Sequence, residues 1–267
     1  VLENNAGDFI FCEQKERLGT GHAVKQAAPY LPDTGKTLVL YADVPLITTA
    51  SLNKLIKSAQ RKKISILTSK ITKPKGYGRI IRDEKMNPTN IREEADASAQ
   101  EKTINEIFTG IMVVDNEFLK NGLKGLVRNN KAGEYYLTDL LEYASKRKLR
   151  ISSIEAKELE VFGANNKKEL EDLYNAMVAL NIDAAKKKGT LFKDTSTCYV
   201  EGVLKVGKDV SIGNNVTIKG TVVLGNDVSI GSNVILSNTK IGSYSTIKEF
   251  CSIEDSKISE NVEVGPF

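Results

Sequence analysis

Cysteine, histidine and long apolar runs are all scarce in this sequence, and each scarcity closes off a class of protein. The three cysteines, Cys12, Cys198 and Cys251, lie far apart. They make neither a metal-binding nor a redox spacing, so a reduced, cytoplasmic setting is expected. His22 is the one histidine; a solitary histidine is expected to be structural, and no chemistry is assigned to it. No run approaches the ~20 apolar residues needed to span a bilayer, and no secretory signal pattern is visible. The chain begins at Val1 rather than at methionine, which predicts a fragment or a trimmed product.

What is present is ordinary for a globular protein. Hydrophobic residues make up 40% and charged residues 27% of 267 positions, a length that suits one large domain or two modest ones. The net charge of +4 is spread along the chain. Basic triplets such as Arg61-Lys62-Lys63 and Lys186-Lys187-Lys188 fall at predicted helix ends, where cations complement the macrodipole. No nucleic-acid partner is expected.

The chain has two grammars. Up to about Ala164, short apolar runs alternate with helical patterns, as in α/β folds. Strands are predicted at 9–12, 37–41, 64–71, 79–82, 107–114 and 150–154, and helices at 21–30, 49–61, 116–127 and 136–146. The run Leu38-Val39-Leu40-Tyr41 is apolar throughout, as expected of a strand covered on both faces in a parallel sheet. Thr48-Thr49 offers an N-cap to the helix carrying Leu52, Leu55 and Ile56. A long helix follows at 168–187, with Leu170, Leu173, Met177 and Leu180 as its predicted packed face.

From Val206 onward, aliphatic residues recur at Ile212, Ile218, Leu224, Ile230, Leu236, Ile241, Ile247, Ile253, Ile258 and Val264. The step is six residues, shortened to five at Leu236–Ile241 and Ile253–Ile258. Glycine often follows the aliphatic residue (Gly207, Gly213, Gly225, Gly231, Gly242, Gly265), and valine recurs four after it (Val210, Val216, Val228, Val234, Val262). A hexapeptide period signals a parallel β-helix, in which each six-residue side points one aliphatic residue into a shared core.

Several segments of the first half have the makings of a ligand site. In Gln14-Lys15-Glu16-Arg17-Leu18-Gly19-Thr20-Gly21-His22, a planar amide can meet the donor and acceptor edge of a pyrimidine. Gly19 permits close backbone approach, although Thr20 could equally cap the following helix. Tyr41-Ala42-Asp43-Val44-Pro45 places a carboxylate at the C-terminal end of a predicted strand, where α/β sheets bind ligands and a hard cation finds oxygen. Asp43 could instead accept turn hydrogen bonds. Gly76-Tyr77-Gly78-Arg79, Glu93, Phe108-Thr109-Gly110, Glu134-Tyr135-Tyr136-Leu137-Thr138-Asp139 and Gly163-Ala164-Asn165-Asn166 complete the series. Asn165-Asn166 alone suggests an N-cap.

In order, and over nearly the whole length, these segments resemble the bifunctional N-acetylglucosamine-1-phosphate uridylyltransferase and glucosamine-1-phosphate acetyltransferase family. The resemblance implies a Rossmann-like α/β uridylyltransferase domain over 1–166, a connecting helix over 167–190 and the start of a left-handed β-helix acetyltransferase domain over 191–267. It implies that Gln14, Gly19 and Thr20 contact the nucleotide, with Tyr41 and Ala42 lining the site; the family has glycine where this chain has Ala42. Gly78 and Glu93 would hold the amino sugar, and Asp43 and Asn165 would ligate Mg²⁺ and so serve catalysis. The family's asparagine before Thr-Gly is Phe108 here, whose ring cannot make the bonds of an amide.

The implied reaction is attack of the phosphate of N-acetylglucosamine 1-phosphate on the α-phosphorus of UTP, giving UDP-N-acetylglucosamine and pyrophosphate. The implied parent also acetylates glucosamine 1-phosphate with acetyl-CoA, works in the bacterial cytoplasm in supply of cell-wall precursors, and is a homotrimer. The family opens with a strand and a glycine-rich loop that grips the triphosphate. No counterpart precedes Val1, and the chain stops before the family's acetyl-CoA region, so weak or no activity is expected of this chain alone. Two other readings remain open: a nucleotidylyltransferase for glucose 1-phosphate, and a non-catalytic sugar-nucleotide-binding assembly subunit.

Overall fold

The computed structural model describes residues 9–60, 62–164 and 166–267, which divide into two compact units meeting in sequence between Gly163 and Ala164. The first unit is built on a mixed six-stranded sheet. Its strands are β1 (Lys36–Val39), β2 (Ile64–Lys70), β3 (Arg79–Arg82), β4 (Pro88–Arg92), β5 (Glu106–Asp115) and β6 (Ile151–Glu155). The helices are α1 (Thr20–Ala27), α2 (Thr49–Ser58), α3 (Asn116–Lys124) and α4 (Asp139–Lys146). The strand order is β4-β3-β5-β2-β6, with β1 also on β5.

β5 organises this unit. It runs antiparallel to β1, β2 and β3, and it is buried on both faces. Phe108, Met112 and Val114 join one core with Leu119, Leu140 and Leu141 from α3 and α4. Ile107, Ile111 and Val113 join the other with Leu55 of α2 and Val161. This is the alternation a strand imposes on a sheet sandwiched between helices. Thr48 caps α2 as expected, its hydroxyl accepting from the Ser51 N–H at 3.2 Å.

Three expectations are corrected. The segment 9–12 forms no strand; Phe9, Ile10 and Phe11 are exposed, since an apolar run becomes a strand only where a ladder partner satisfies its backbone. β1 is only half-buried and its neighbour is antiparallel β5, so its apolar composition does not mark a strand inside a parallel sheet. β4 was not anticipated: Pro88-Thr89-Asn90-Ile91-Arg92 has little apolar alternation, and its partner β3 supplies the hydrogen bonds instead.

The second unit starts with α5 (Lys167–Lys186), capped by Asn166, whose Oδ1 accepts from the Glu169 N–H at 3.0 Å. The packed face is Leu173, Val178, Ile182 and Ala185, while Leu170 and Leu180 are exposed. The reason lies in the partner surface: Val178, Ile182 and Ala185 close the end of the β-helix core. Asn181 Nδ2 also donates to the Val200 carbonyl at 2.9 Å, and the Tyr174 hydroxyl donates to Glu201 at 2.7 Å.

Beyond α5 stand three parallel sheets, one for each side of a β-helix of the left-handed hexapeptide type. Register links Ile212 to Ile230 and Ile230 to Ile247 on one side, Ile218 to Leu236 and Leu236 to Ile253 on the next, and Leu224 to Ile241 on the third. Three hexapeptides therefore make one coil. Both five-residue steps fall between the second and third sides, so the shortened coils stay in register. Corners are turned by residues with positive φ, among them Asp209, Asn215, Asp227, Asn233 and Asn238. Aspartate and asparagine visit that region at less cost than other side chains. The recurrent glycines have a different cause: a Cβ on Gly225 would lie 2.6 Å from the Ser243 backbone nitrogen, and one on Gly242 2.6 Å from that of Glu260. Successive coils stack too closely there for any side chain.

Ile230 sits in that core at 2% exposure. Ile230→Ala is expected to cost the β-helix unit about 2–5 kcal/mol, read as a lowered urea midpoint, with no change in the pocket-facing loops of the first unit.

Candidate active site

The segment 18–21 is fastened to the segment 135–137 through the backbone. The Tyr135 N–H donates to the Leu18 carbonyl and the Gly21 N–H to the Tyr135 carbonyl, both at 2.8 Å. The Leu137 N–H donates to the Thr20 hydroxyl at 3.1 Å. Gly19 has φ of +100°, and a Cβ there would fall 2.7 Å from the Tyr135 carbonyl oxygen. Glycine is thus required both by the backbone angle and by the approach of the neighbouring chain. Thr20 does not cap α1; Gly19 holds that position without a side-chain bond, and the Thr20 hydroxyl serves Leu137.

Gln14 Nε2 donates to the Gly19 carbonyl at 3.1 Å and lies 3.1 Å from His22 Nδ1. Its donor group is occupied within the loop, while no bond to its carbonyl oxygen is seen among the described contacts. His22 lies within reach of both the Gln14 and the Gln26 amides and stacks near Tyr135.

Tyr41 lies next to this loop. Its phenol bonds with Thr20, and burial, with Glu93 and Asp43 nearby, pushes its pKa up to about 12. The ring packs on Gly110, where φ is +83° and a Cβ would lie 2.3 Å from the ring. Gly78 comes close to Glu93: a Cβ on the glycine would be 3.3 Å from Glu93 Oε2. The other carboxylate oxygen of Glu93 accepts from the Thr138 hydroxyl at 2.8 Å. Burial, then Asp96 and Glu134, raise the Glu93 pKa against the pull of Thr138. Phe108 turns its ring into the α3–α4 core at 6% exposure, and its N–H donates to the Gly78 carbonyl at 2.8 Å.

The structure therefore gathers Gln14, Gly19, Thr20, Tyr41, Gly78 and Glu93, with Tyr41 linking the first group to Glu93. Ala42 and Asp43 are exposed in the turn after β1. Asp43 stands beside Gly163, where a Cβ would be 3.8 Å from its Oδ2. Asn165 lies outside the described residues. Among the described residues there is no cluster of three or more histidine, cysteine or acidic ligands. One accessible carboxylate beside a bare glycine fits Mg²⁺, which takes one or two carboxylates and completes its shell with water and substrate phosphates.

Thr138 was missed as a site residue. It lies in a motif that the sequence linked to the pocket, but nothing in the spacing points its hydroxyl at Glu93. Its neighbour Leu137 is core, at 1% exposure. Glu93 also borders a cavity of about 580 Å³, lined in part by Arg92, Asp96, Tyr136, Asp139 and Lys146, which falls within the size range of small-molecule pockets.

A family model for nucleotidyl transferase matches residues 4–160. The chain belongs to the nucleotidyl transferase family. This nucleotidyl transferase is 39% identical over 261 residues to the bifunctional protein GlmU of Idiomarina loihiensis, covering 97% of the chain and 57% of that protein. It is 42% identical over 262 residues to the bifunctional protein GlmU of Nitrosomonas europaea, again covering 97% and 57%. With the bifunctional protein GlmU of Neisseria meningitidis serogroup B it shares 40% over 268 residues, covering 100% and 55%. The chain thus spans a little over half the length of these relatives. No helix among the described residues is long and apolar enough to cross a membrane.

Asp139, at the start of α4, is, with Glu93, an acid of this nucleotidyl transferase unit whose pKa is raised. Burial, with Glu142, Glu93 and Asp96 close by, pushes its pKa up to about 6 from 3.8. The folded state holds this proton more tightly than the unfolded chain, so its contribution is full below pH 3.8 and is lost as the pH rises through about 6. Unfolding free energy is expected to rise by about 1 kcal/mol between pH 7 and pH 5 after allowance for solvent screening. Asp139→Asn should flatten that slope in denaturant titrations at the two pH values.

Proposed function

We propose that this chain contributes the nucleotide- and sugar-binding part of a uridylyl transfer from UTP to N-acetylglucosamine 1-phosphate. The observation that supports it best is the fastening of the Gly19–Gly21 loop to 135–137, which brings Thr20, Tyr41, Gly78 and Glu93 to one region. The high identity to GlmU proteins along the chain supports the same reading. In the proposed site, the free carbonyl of Gln14 takes the N3–H of uracil while the Gly19 and Thr20 backbone lies along the nucleotide. Glu93, held by Thr138, accepts from sugar hydroxyls, and Gly78 meets the pyranose through its backbone.

The chemistry needs in-line placement more than covalent help. A sugar-phosphate oxygen forms a bond to the α-phosphorus as the bond from that phosphorus to the bridging oxygen breaks, and pyrophosphate departs with the electron pair. Asp43 and Asn165 are the residues that would hold Mg²⁺, which supplies charge neutralisation on the phosphates. Tyr41, anchored by Thr20 and Gly110, keeps the turn bearing Asp43 in place. The domain assignment goes with this reading: catalytic residues in 1–166, a connecting helix in 167–190, and in 191–267 the opening of a β-helix that in the whole protein serves acetyl transfer from acetyl-CoA. A homotrimer built on the β-helix and a cytoplasmic location complete the proposal.

Calorimetric titration of UDP-N-acetylglucosamine is expected to show binding strengthened by Mg²⁺, with the Mg²⁺ effect lost in Asp43→Ala. A folded chain that binds neither with nor without Mg²⁺ would sink the reading. Competition by UDP-glucose at equal strength would favour the glucose 1-phosphate enzyme. Binding without pyrophosphate release from UTP and sugar phosphate would favour a non-catalytic binder.

A further inference from the structure

Glu94 follows Glu93 directly, yet it engages a different set of partners. Its Oε2 accepts from Arg79 Nη2 at 2.7 Å and from the Gly76 N–H at 3.3 Å. Lys102 Nζ lies 3.9 Å from its Oε1. Arg79 is 1% exposed, donates through Nη1 to the Tyr77 carbonyl, and keeps a buried Nε without a partner among the described residues. Gly76 has φ of +91° with nothing within 4 Å of a Cβ, so no side chain packs there, and its N–H is held by Glu94.

The turn 76–79 is therefore gripped at two points. Phe108 holds the Gly78 carbonyl from β5, and one oxygen of Glu94 holds both the Gly76 N–H and the buried guanidinium. Between those grips stands Gly78, where a Cβ would lie 2.7 Å from Ile91 Cγ2 and 3.3 Å from Glu93 Oε2, so its backbone passes close to the Glu93 carboxylate. Because Glu93 and Glu94 are consecutive, the second acid ties the turn to the same short stretch of chain that carries the first. A pyranose held by Gly78 and Glu93 would feel any slack in that distance directly. A buried Arg–carboxylate pair is a weak source of net stability but a strong geometric constraint.

We propose that Glu94 is a positioning residue for the sugar side of the site: through Arg79 and the Gly76 N–H it sets the gap between Gly78 and Glu93. This rests on the uridylyl-transfer reading above, in which those two residues hold the sugar.

Two measurements on the whole chain test it. The first is amide hydrogen exchange without ligand. Glu94→Gln should speed exchange of the Gly76 amide about tenfold or more, with β2 and β5 amides unchanged. The second is calorimetry with UDP and with UDP-N-acetylglucosamine. The variant should bind UDP as the parent chain does and UDP-N-acetylglucosamine about tenfold more weakly, a split that general loosening of the fold would not produce. Should Glu94→Gln fail to fold because Arg79 is left buried and unpaired, the double variant Arg79→Met with Glu94→Leu removes both charges together and should give the same split. Unchanged Gly76 exchange, or equal loss for the two ligands, overturns the positioning role alone. Binding of neither ligand by the parent chain overturns the functional reading, and the positioning role falls with it.

Discussion

The candidate site depends on one backbone junction more than on any side chain: the exchange of hydrogen bonds between 18–21 and 135–137. Two loops far apart in sequence become a single wall because Gly19 adopts a positive φ and leaves no Cβ in the path of the Tyr135 carbonyl. Gly21 is bound by the same closeness, since a Cβ there would lie 2.9 Å from the Tyr135 carbonyl oxygen. Any side chain at either glycine would part the two loops. Thr20 would then lose both the Leu137 N–H and the Tyr41 phenol, and the link from the Gly19–Gly21 segment to Glu93 would go with them. A short motif of small residues is thus fixed by sterics and backbone bonding, and a role in binding is built upon that frame.

The second unit solves a related problem of close approach by repetition. Its coils stack so tightly that a Cβ at Gly213, Gly225, Gly231 or Gly242, each beside a core aliphatic, would meet the next coil, while corner positions must tolerate positive φ. Asparagine does so and adds a bond along the corner, Asn215 Nδ2 donating to Asn233 Oδ1 at 3.1 Å. The aliphatic column supplies the burial that drives the stack, and α5 covers its first coil with Val178, Ile182 and Ala185. Each coil needs only its neighbours, so two shortened steps are absorbed without loss of register.

Legibility in the sequence followed the physics of each signal. The β-helix was plain because a six-residue period repeats over many coils, and the helices of the first unit because capping and amphipathic spacing are local. The segment 9–12 misled because Phe-Ile-Phe has strand composition, whereas a strand exists only with a partner. β4 was hidden for the opposite reason: its pairing with β3 does not depend on apolar alternation. Of the expected face of α5, Leu173 is buried, but Leu170 and Leu180 are exposed because the surface it meets selects Val178 and Ile182. Within the site, the glycine and acidic motifs were visible, but the contacts that orient them were not. Thr138 on Glu93 and Phe108 on Gly78 join residues 45 and 30 positions apart, and no local pattern encodes such meetings. Phe108 illustrates the limit well: its missing amide could be read from sequence, its burial in the α3–α4 core could not.

The acids around Glu93 show why stability and site geometry pull apart here. Burial is the leading cause that raises the proton affinity of both Glu93 and Asp139; the charges of Asp96 and Glu134 add to it at Glu93, and those of Glu142, Glu93 and Asp96 at Asp139. The charge of Arg92 offsets part of the repulsion at Asp139. The Thr138 hydroxyl offsets another part at Glu93. The remainder stays uncompensated within the protein, and a core designed for stability alone would replace such acids with apolar groups of similar volume. Strained acid–base environments of this kind concentrate where a ligand is to be held. A sugar brings several hydroxyl donors and no charge of its own at the ring, so it can satisfy carboxylate oxygens without adding to the repulsion. That match between surplus acceptors in the wall and surplus donors in the pyranose supports the proposal that a sugar, rather than phosphates, lies on the Glu93 side.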